Sequence, residues 1–204
     1  MIVIVDYGLG NLNSIANMLK KVGVHSLISS DPEKIRRAEK LILPGVGAFD
    51  AGMQNLNSSG LIALLNELVL AQGKPILGLC LGMQLMARRS DEGHLSGLGW
   101  LDADVVRFTF GAETGLKIPH MAWNTLEILR EHPLFAEMPD EPRFYFVHSY
   151  HLTLDRHEDV LARTEYGYHF DSVAARGNIM GVQFHPEKSH KFGMRLLKNF
   201  AEMS

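Results

Sequence analysis

The chain has 204 residues, of which 46% are hydrophobic and 21% charged, and its formal net charge is −3 at pH 7. This length suits one well-buried domain rather than two large ones, and the composition excludes a disordered chain. The slightly negative charge gives no reason to expect binding to nucleic acid or to an anionic membrane surface. We therefore expect a single domain over residues 1–204.

The chain contains one cysteine, so it cannot form an internal disulfide, and no spacing of Cys and His residues matches a zinc site. Neither a metal nor another cofactor is expected. The apolar run at residues 1–5 is too short for a signal peptide and lacks a basic flank. No stretch has the apolar length that spans a bilayer. These features indicate a cytoplasmic protein.

The first half of the chain alternates short apolar runs with helical patterns. The apolar runs predict buried strands at 2–5, 24–28, 41–43 and 75–79, and apolar residues at helical spacing predict helices at 12–22, 32–37, 61–71 and 81–89. Strands that are apolar throughout and alternate with helices are typical of a parallel sheet covered on both faces. Gly8 and Gly10 follow the first strand but lack the third glycine of a dinucleotide-binding motif, and Asn11 suits a helix N-cap.

The second half has a different pattern. Short strand signals separated by turn residues occur at 105–108, 125–129, 144–147, 151–154, 160–164, 173–175 and 179–182, and an amphipathic helix is predicted at 192–203. Such short strands indicate antiparallel additions to the sheet, so the expected class is α/β with a doubly wound, mostly parallel sheet. Residues 119–123 are predicted as an apolar and aromatic loop, either buried or part of a contact surface.

Cys80 directly follows an apolar strand and lies between Gly78 and Gly82. A residue at a tight strand-to-helix turn projects from the sheet edge towards the first N–H groups of the helix. Glycines two residues before and after it suit this turn because they bring no Cβ atoms into it. The positive end of the helix dipole also favours a thiolate. A buried structural cysteine is the default for an isolated Cys, but the glycine pair favours a nucleophile.

A thiol nucleophile needs a base and a group that orients the base. His185 and Glu187, separated by Pro186, supply both at the end of the 179–182 strand. Strand ends of a doubly wound sheet meet at one edge, so this segment can reach Cys80. Pro186 keeps His185 extended, and Glu187 can then accept from one imidazole nitrogen while the other faces the sulfur. Any one histidine of this chain is more commonly structural, but the pair beside Pro186 favours a catalytic triad.

Acyl transfer also requires hydrogen-bond donors for the developing oxyanion. One predicted donor is the N–H of Leu81, directly after the nucleophile. The other is placed in the segment 44–47 after the third strand, where two glycines permit a peptide N–H to point inward. An ordinary glycine-rich turn explains this segment equally well from its spacing alone.

These motifs resemble a known family. The segment 78–84 around Cys80, together with residues 185–187, resembles the class I (triad) glutamine amidotransferases. Within that class, the segments 44–49, 118–124, 145–150 and 183–189 are similar to the glutaminase subunits of imidazole glycerol phosphate synthase. The resemblance covers essentially the whole chain. It implies a flavodoxin-like sheet extended by antiparallel strands.

The resemblance implies that glutamine is hydrolysed to glutamate and ammonia through a thioester on Cys80. It further implies that Gln84, Glu92, Ser149 and Tyr150 bind the α-amino and α-carboxylate groups of glutamine. Gly47, with Val46 beside it, would line the oxyanion hole. Ammonia would pass through a closed path to a (β/α)8 cyclase subunit in a heterodimer. The implied interface residues are Pro119, His120, Met121, Trp123, Asn124, Tyr145 and Lys188; the family usually has Gly where this chain has Ala122.

Three other functions are compatible with parts of the sequence. Close relatives within the resembled family supply ammonia for an acetamidino group on a nucleotide-linked surface sugar, and the segments 98–100 and 115–120 are somewhat similar to that branch. Another cysteine hydrolase of the same fold is disfavoured by Glu187 and Gln84, which suit glutamine. A non-enzymatic scaffold is disfavoured because nucleophile, base and orienting group are all present. Histidine biosynthesis is the preferred setting.

Overall fold

The computed structural model describes residues 1–203. The strands in this range are β1 (Ile2–Val5), β2 (Ser26–Ser29), β3 (Lys40–Leu43), β4 (Ile76–Leu79), β5 (Arg89–Ser90), β6 (Ala103–Arg107), β7 (His120–Thr125), β8 (Glu127–Ile128), β9 (Arg143–His148), β10 (Tyr150–Leu154), β11 (Val160–Glu165), β12 (His169–Arg176) and β13 (Ile179–Val182). The α-helices are α1 (Leu12–Lys21), α2 (Pro32–Arg37), α3 (Phe49–Ser59), α4 (Ile62–Asn66), α5 (Leu81–Gln84) and α6 (His190–Glu202), and a π-helical turn, Glu67–Ala71, continues α4.

Within the described part of the chain, eleven strands form one mixed sheet in the order β2-β1-β3-β4-β13-β12-β10-β6-β5, with β11 paired to β12 and β8 paired to β11. Neighbours from β2 to β13 run parallel, and the pairs from β13 to β6 are antiparallel. β7 and β9 form a separate antiparallel ribbon. The predicted α/β class, with a doubly wound parallel half and antiparallel additions, is confirmed.

Both faces of the sheet are covered by helices. On one face, Ile2 and Ile4 of β1 pack in a cluster with residues of α1 and α6. On the other face, Val3 and Val5 pack in a cluster with residues of α2, α3 and α4. Each fully buried aliphatic side chain of this kind contributes roughly 1.5–3 kcal/mol, which fixes the alternation of β1 and its register in the sheet.

The strand order brings three chain segments to one edge of the sheet. β4 lies between β3 and β13 and runs parallel to both, so the residues after these three strands share the carboxyl edge: 44–47, 80–82 and 183–187. At the opposite edge lie the turns before β2, β4 and β13, at Gly23, Gly73 and Gly177, where an added Cβ would meet no atom within 4 Å.

Two elements near the carboxyl edge differ from their predictions. The helix after Cys80 spans four residues rather than the whole 81–89 segment, because Leu98 and Trp100 donate to the carbonyls of Leu85 and Met86 that a longer helix would use. The strand 179–182, predicted among the antiparallel additions, does pair antiparallel with β12, but it also pairs parallel with β4 and so joins the two halves of the sheet.

Three further differences concern helices and loops. α3 was not predicted from the sequence, although Phe49, Met53 and Leu56 bury one face of it. Residues 119–123 are not a loop, since 120–125 form β7. Asn11 occupies the N-cap position of α1 but its side chain caps no N–H group. None of the described helices is long and apolar enough to cross a membrane.

Candidate active site

Cys80 lies at a sharp turn between β4 and α5. Its φ of 51° and ψ of −111° place an ordinary L-residue in a strained region of backbone space. Its own N–H donates to the carbonyl of Val182 at 2.8 Å, which ties the turn to β13. A Cβ on Gly82 would lie 1.9 Å from the carbonyl oxygen of Leu43. The turn that the glycine spacing predicts is therefore present, and only glycine fits at position 82.

His185 faces Cys80 from the neighbouring strand end. The backbone N–H of His185 donates to Tyr145 at 2.9 Å, and its carbonyl accepts from the Ser189 hydroxyl at 2.6 Å. Its ring Nδ1 lies 2.9 Å from Oε1 of Glu187, with both side chains buried. Cys80 and His185 line the same cleft. The structure thus brings sulfur, imidazole and carboxylate together at this edge of the sheet.

The charge of His185 depends on these neighbours. Burial disfavours the imidazolium, but hydrogen bonds and negative charge from Cys80 and Glu187 outweigh burial and raise the pKa of His185 to about 10. The imidazole is therefore protonated at neutral pH. An imidazolium beside a cysteine stabilises the thiolate, which is the reactive form of the sulfur.

We expect the stability of the fold to fall as the pH rises from about 6.5, the ordinary pKa of histidine, to about 10, the pKa of folded His185. A raised folded pKa contributes stability that is complete below the unfolded pKa and is lost through the folded one. Urea unfolding at pH 7, 8 and 9 measures this trend. In Cys80→Ala, which removes one partner of the imidazolium, the slope should be smaller; an equal slope in both proteins would contradict the assignment.

The triad opens into a cleft of about 400 Å³, which is within the size range of small-molecule sites. The cleft is lined by Val46, Gly47, Cys80, Leu81, Gln84, Glu92, Pro119, Val147, His148, Ser149, Tyr150, His185 and Lys188. Every residue that the sequence analysis assigned to the oxyanion or to glutamine lies in this lining. One cleft therefore holds all the residues predicted to contact the oxyanion or the glutamine substrate.

The segment after β3 forms one wall of the cleft. Gly47 has a φ of 101°, which an L-residue rarely adopts. Among residues 1–203, the backbone N–H groups of Gly47 and Leu81 donate to no protein acceptor. The hydroxyl of Tyr7 donates to the Pro44 carbonyl at 2.5 Å and holds the segment 44–47 in place. Burial and the nearby Cys80 charge raise the pKa of Tyr7, so it stays a donor.

Two glutamine side chains connect the cleft to the sulfur. The Gln84 amide nitrogen donates to the Tyr150 carbonyl and to Oε1 of Gln183, both at 3.0 Å. The Gln183 amide nitrogen in turn lies 3.7 Å from the Cys80 sulfur. Gln183 was not predicted as a site residue. Its position two residues before His185 was the available signal, because such residues of an extended segment point to the same side.

Glu92 lines the cleft and is held there by the N-terminus of α3, a helix that the sequence does not predict. Its Oε2 accepts from the backbone N–H of Phe49, the first residue of α3, at 2.9 Å. A carboxylate at a helix N-terminus is stabilised there by the helix dipole. The hydrogen bond holds the carboxylate at the cleft and leaves Oε1 for a ligand.

The predicted interface residues do not form one exposed loop. Met121 and Trp123 are 60% and 44% exposed, and the Lys188 ammonium lies 5.7 Å from the ring of Tyr145 nearby. In contrast, His120 is 0% exposed, so the prediction of His120 as a contact residue is wrong. Asn124 is half-buried and its amide donates to the Glu165 carbonyl, so its place at an interface stays a prediction.

His190 is a further aromatic neighbour that the sequence analysis missed. Its ring stacks on Trp123 with centroids 5.3 Å apart and an interplanar angle of 5°. No group of three His, Cys, Asp or Glu side chains in residues 1–203 is placed to hold a metal ion.

The chain matches the family model of glutamine amidotransferase class-I over residues 3–203. It is 52% identical to "Imidazole glycerol phosphate synthase subunit HisH 2" of Pseudomonas aeruginosa, and 48% identical to the protein of the same name from Methanococcus maripaludis, with 100% of each chain covered in both cases. Its fold is similar to that of a chain of PurLQS from Thermotoga maritima, with a TM-score of 0.74 at 18% identity over 98% of this chain and 96% of the other.

Proposed function

Because the chain belongs to the class I glutamine amidotransferases, we propose that it is the glutaminase subunit of an imidazole glycerol phosphate synthase in histidine biosynthesis. It hydrolyses glutamine to glutamate and ammonia. The observation that carries this proposal is the buried pair of His185 and Glu187, with 2.9 Å between imidazole and carboxylate, in the cleft that Cys80 also lines. The ammonia serves amino-acid biosynthesis, so we place the protein in the cytoplasm, as one domain over residues 1–204.

The reaction follows from the positions of these groups. The Cys80 thiolate attacks the side-chain carbonyl carbon of glutamine, and the oxyanion accepts from the N–H groups of Leu81 and Gly47, with Val46 completing that wall. His185 donates its proton to the leaving ammonia, which leaves a thioester on Cys80. The imidazole then takes a proton from water, which attacks the thioester and releases glutamate. Glu187 holds the imidazole in its orientation throughout.

The substrate's backbone groups match the polar residues of the cleft. The Glu92 carboxylate pairs with the α-ammonium group, and Ser149 and Tyr150 hold the α-carboxylate. Both N–H bonds of the Gln84 amide are directed to protein oxygens. Gln84 therefore offers glutamine only its carbonyl oxygen, an acceptor that suits the α-ammonium and not the carboxylate.

The partner is a (β/α)8 cyclase subunit in a 1:1 heterodimer. Met121 and Trp123 project from the outer face of β7, Tyr145 and Lys188 lie beside them, and Pro119 and Lys188 border the cleft. Exposed aromatic side chains next to a positive charge are typical of interface hot spots. Docking here covers the mouth of the cleft, so that ammonia passes to the partner without release to solvent.

We expect the isolated chain to hydrolyse glutamine slowly and the complex with its cyclase partner and the partner's ligand to be about 10²-fold faster, the loss that one missing oxyanion donor causes. The physical reason is that docking aligns the N–H groups of the segment 44–47. Glutamate release with and without partner measures this. Equal rates would contradict the gating.

A matched pair of variants tests where the partner binds. Trp123→Ala should weaken assembly, whereas Leu70→Ala should leave it unchanged. Leu70 is also an exposed apolar side chain, but it lies beside Gly177 and Asn178 at the opposite edge of the sheet. Co-purification of the full chain identifies the partner and, with it, the acceptor of the ammonia.

A further inference from the structure

Two buried histidines outside the triad connect β7 to the cleft. His148 Nδ1 lies 2.8 Å from the Tyr150 carbonyl oxygen, and His148 Nε2 lies 3.0 Å from Nδ1 of His120. On its other side, Nε2 of His120 lies 3.4 Å from the Asn124 amide nitrogen. Four side-chain and backbone groups thus form one continuous series of hydrogen bonds.

The Tyr150 carbonyl and the Asn124 amide, at the two ends of this series, determine which ring nitrogen of each histidine carries the proton. A carbonyl oxygen only accepts, so His148 carries its proton on Nδ1 and its Nε2 is the acceptor. His120 must then donate from Nδ1 and accept at Nε2. The Asn124 amide is oriented independently, because its nitrogen donates to Glu165 at 2.9 Å and its oxygen accepts from Thr125 at 2.9 Å. All bonds therefore run in one direction, towards the Tyr150 carbonyl.

The surroundings keep both rings neutral. A proton on the second nitrogen of His148 would force His120 to donate from Nε2 towards the N–H group of Asn124. His120 also stacks between Tyr166 and Phe146, with ring centroids 4.0 and 4.9 Å away. In agreement, burial lowers the pKa of His120 to about 4 and that of His148 well below its ordinary value.

We propose that His120 is a positioning residue for the glutamine cleft, acting through His148 on the carbonyl of Tyr150. The inference rests on the proposed glutaminase function and adds a residue to its site. The Tyr150 carbonyl accepts from both His148 and Gln84. Gln84 also orients Gln183, whose amide lies next to the Cys80 sulfur. Without the N–H group of His120, the His148 ring is free to turn. The Tyr150 carbonyl, and with it Gln84, then loses its fixed position in the cleft.

The kinetic test compares three variants in the complex with the partner. His120→Phe keeps a flat ring between Tyr166 and Phe146 but removes the donor, and His120→Asn keeps an N–H group at the δ position. His151→Phe is the matched control. Its ring is buried in the same aromatic cluster and bonds to the Leu152 carbonyl and the Tyr168 hydroxyl, both at 2.9 Å, but to no residue lining the cleft.

We expect His120→Phe to raise the KM for glutamine about 3- to 10-fold, the range that one neutral hydrogen bond carries, while kcat changes little. His120→Asn should recover most of the loss, and His151→Phe should keep the wild-type KM even where it lowers Tm as much. Equal KM increases in His120→Phe and His151→Phe, or no recovery in His120→Asn, would overturn the proposal and leave both histidines purely structural.

A spectroscopic measurement tests the series without any turnover. In the full chain with isotope-labelled histidine, long-range proton–nitrogen spectra should show His120 and His148 both protonated at Nδ1, and His148 should lose that single form in His120→Phe. A wild-type His148 protonated at Nε2 would overturn the series. A wild-type complex without glutaminase activity would instead refute the proposed function, and the spectra distinguish the two failures.

Discussion

Replacing Cys80 with alanine will abolish glutamine hydrolysis by the complex, with a loss on the order of 10⁴-fold or more, because the enzyme then has no atom that can form the thioester. The fold and the affinity for the partner should remain. Cys80 is buried at the base of the cleft, whereas Met121 and Trp123 project outside it. Glutamate release and partner binding, measured on the same preparation, check both halves of this result.

Two comparisons make the Cys80 result specific. Cys80→Ser keeps the size and the strained backbone of the residue but replaces the thiolate with a much weaker nucleophile, so it should be nearly as inactive. Assaying glutamine and peptide substrates side by side separates a glutaminase from another cysteine hydrolase of this fold. Substantial glutamine turnover by Cys80→Ala would mean that a different group carries the chemistry.

Gly82→Ala should strongly destabilise the fold. The added Cβ would lie 1.9 Å from the Leu43 carbonyl oxygen and 3.2 Å from the carbonyl carbon of Pro44. Leu43 belongs to β3, which is paired with β1 and β4 on its two sides and has no room to move. We expect the free energy of unfolding to fall by roughly 3 kcal/mol or more, the upper range for overpacking, as measured by urea denaturation.

Gly60→Ala is the matched control for this variant. Gly60 differs from Gly82 in having a left-handed backbone, with a φ of 69°, and a Cβ there would meet no atom within 4 Å. Its cost should be only about 1 kcal/mol, that of a left-handed conformation without a steric contact. Similar losses in the two variants would show that contact with Leu43 is not what requires glycine beside the nucleophile. Any folded Gly82→Ala protein should also be poorly active, since the added methyl displaces the segment after β3.

Much of the site could be predicted because its signals are local. Glycines around Cys80 and the proline between His185 and Glu187 each constrain the backbone over a few residues, and the structure has the predicted turn and the predicted facing of Glu187. Apolar runs likewise identified the parallel strands. The parallel pairing of β13 with β4 was not predicted, because strand pairing depends on long-range order and apolar composition is the same for either direction.

The remaining errors have specific physical causes. α3 begins at Phe49 and contains Gly52 and several polar residues, so its propensity is weak, and packing of its buried face determines it. The length of α5 is set by loop N–H groups from residues 98 and 100, which no local pattern reveals. β7 alternates exposed Met121 and Trp123 with buried His120. The sequence analysis treated residues 119–124 as one contact surface and so did not predict this alternation.

The molecule keeps its chemistry and its predicted docking face at one end of the parallel strands, while the turns at Gly23, Gly73 and Gly177 lie at the other end with open space around them. Those turns are therefore natural attachment points. A fluorophore, an affinity tag or a link to a solid support placed there would point away from both substrate and partner. A chain immobilised by these turns would still expose the carboxyl edge of the sheet, with the cleft and the predicted docking face, to solution.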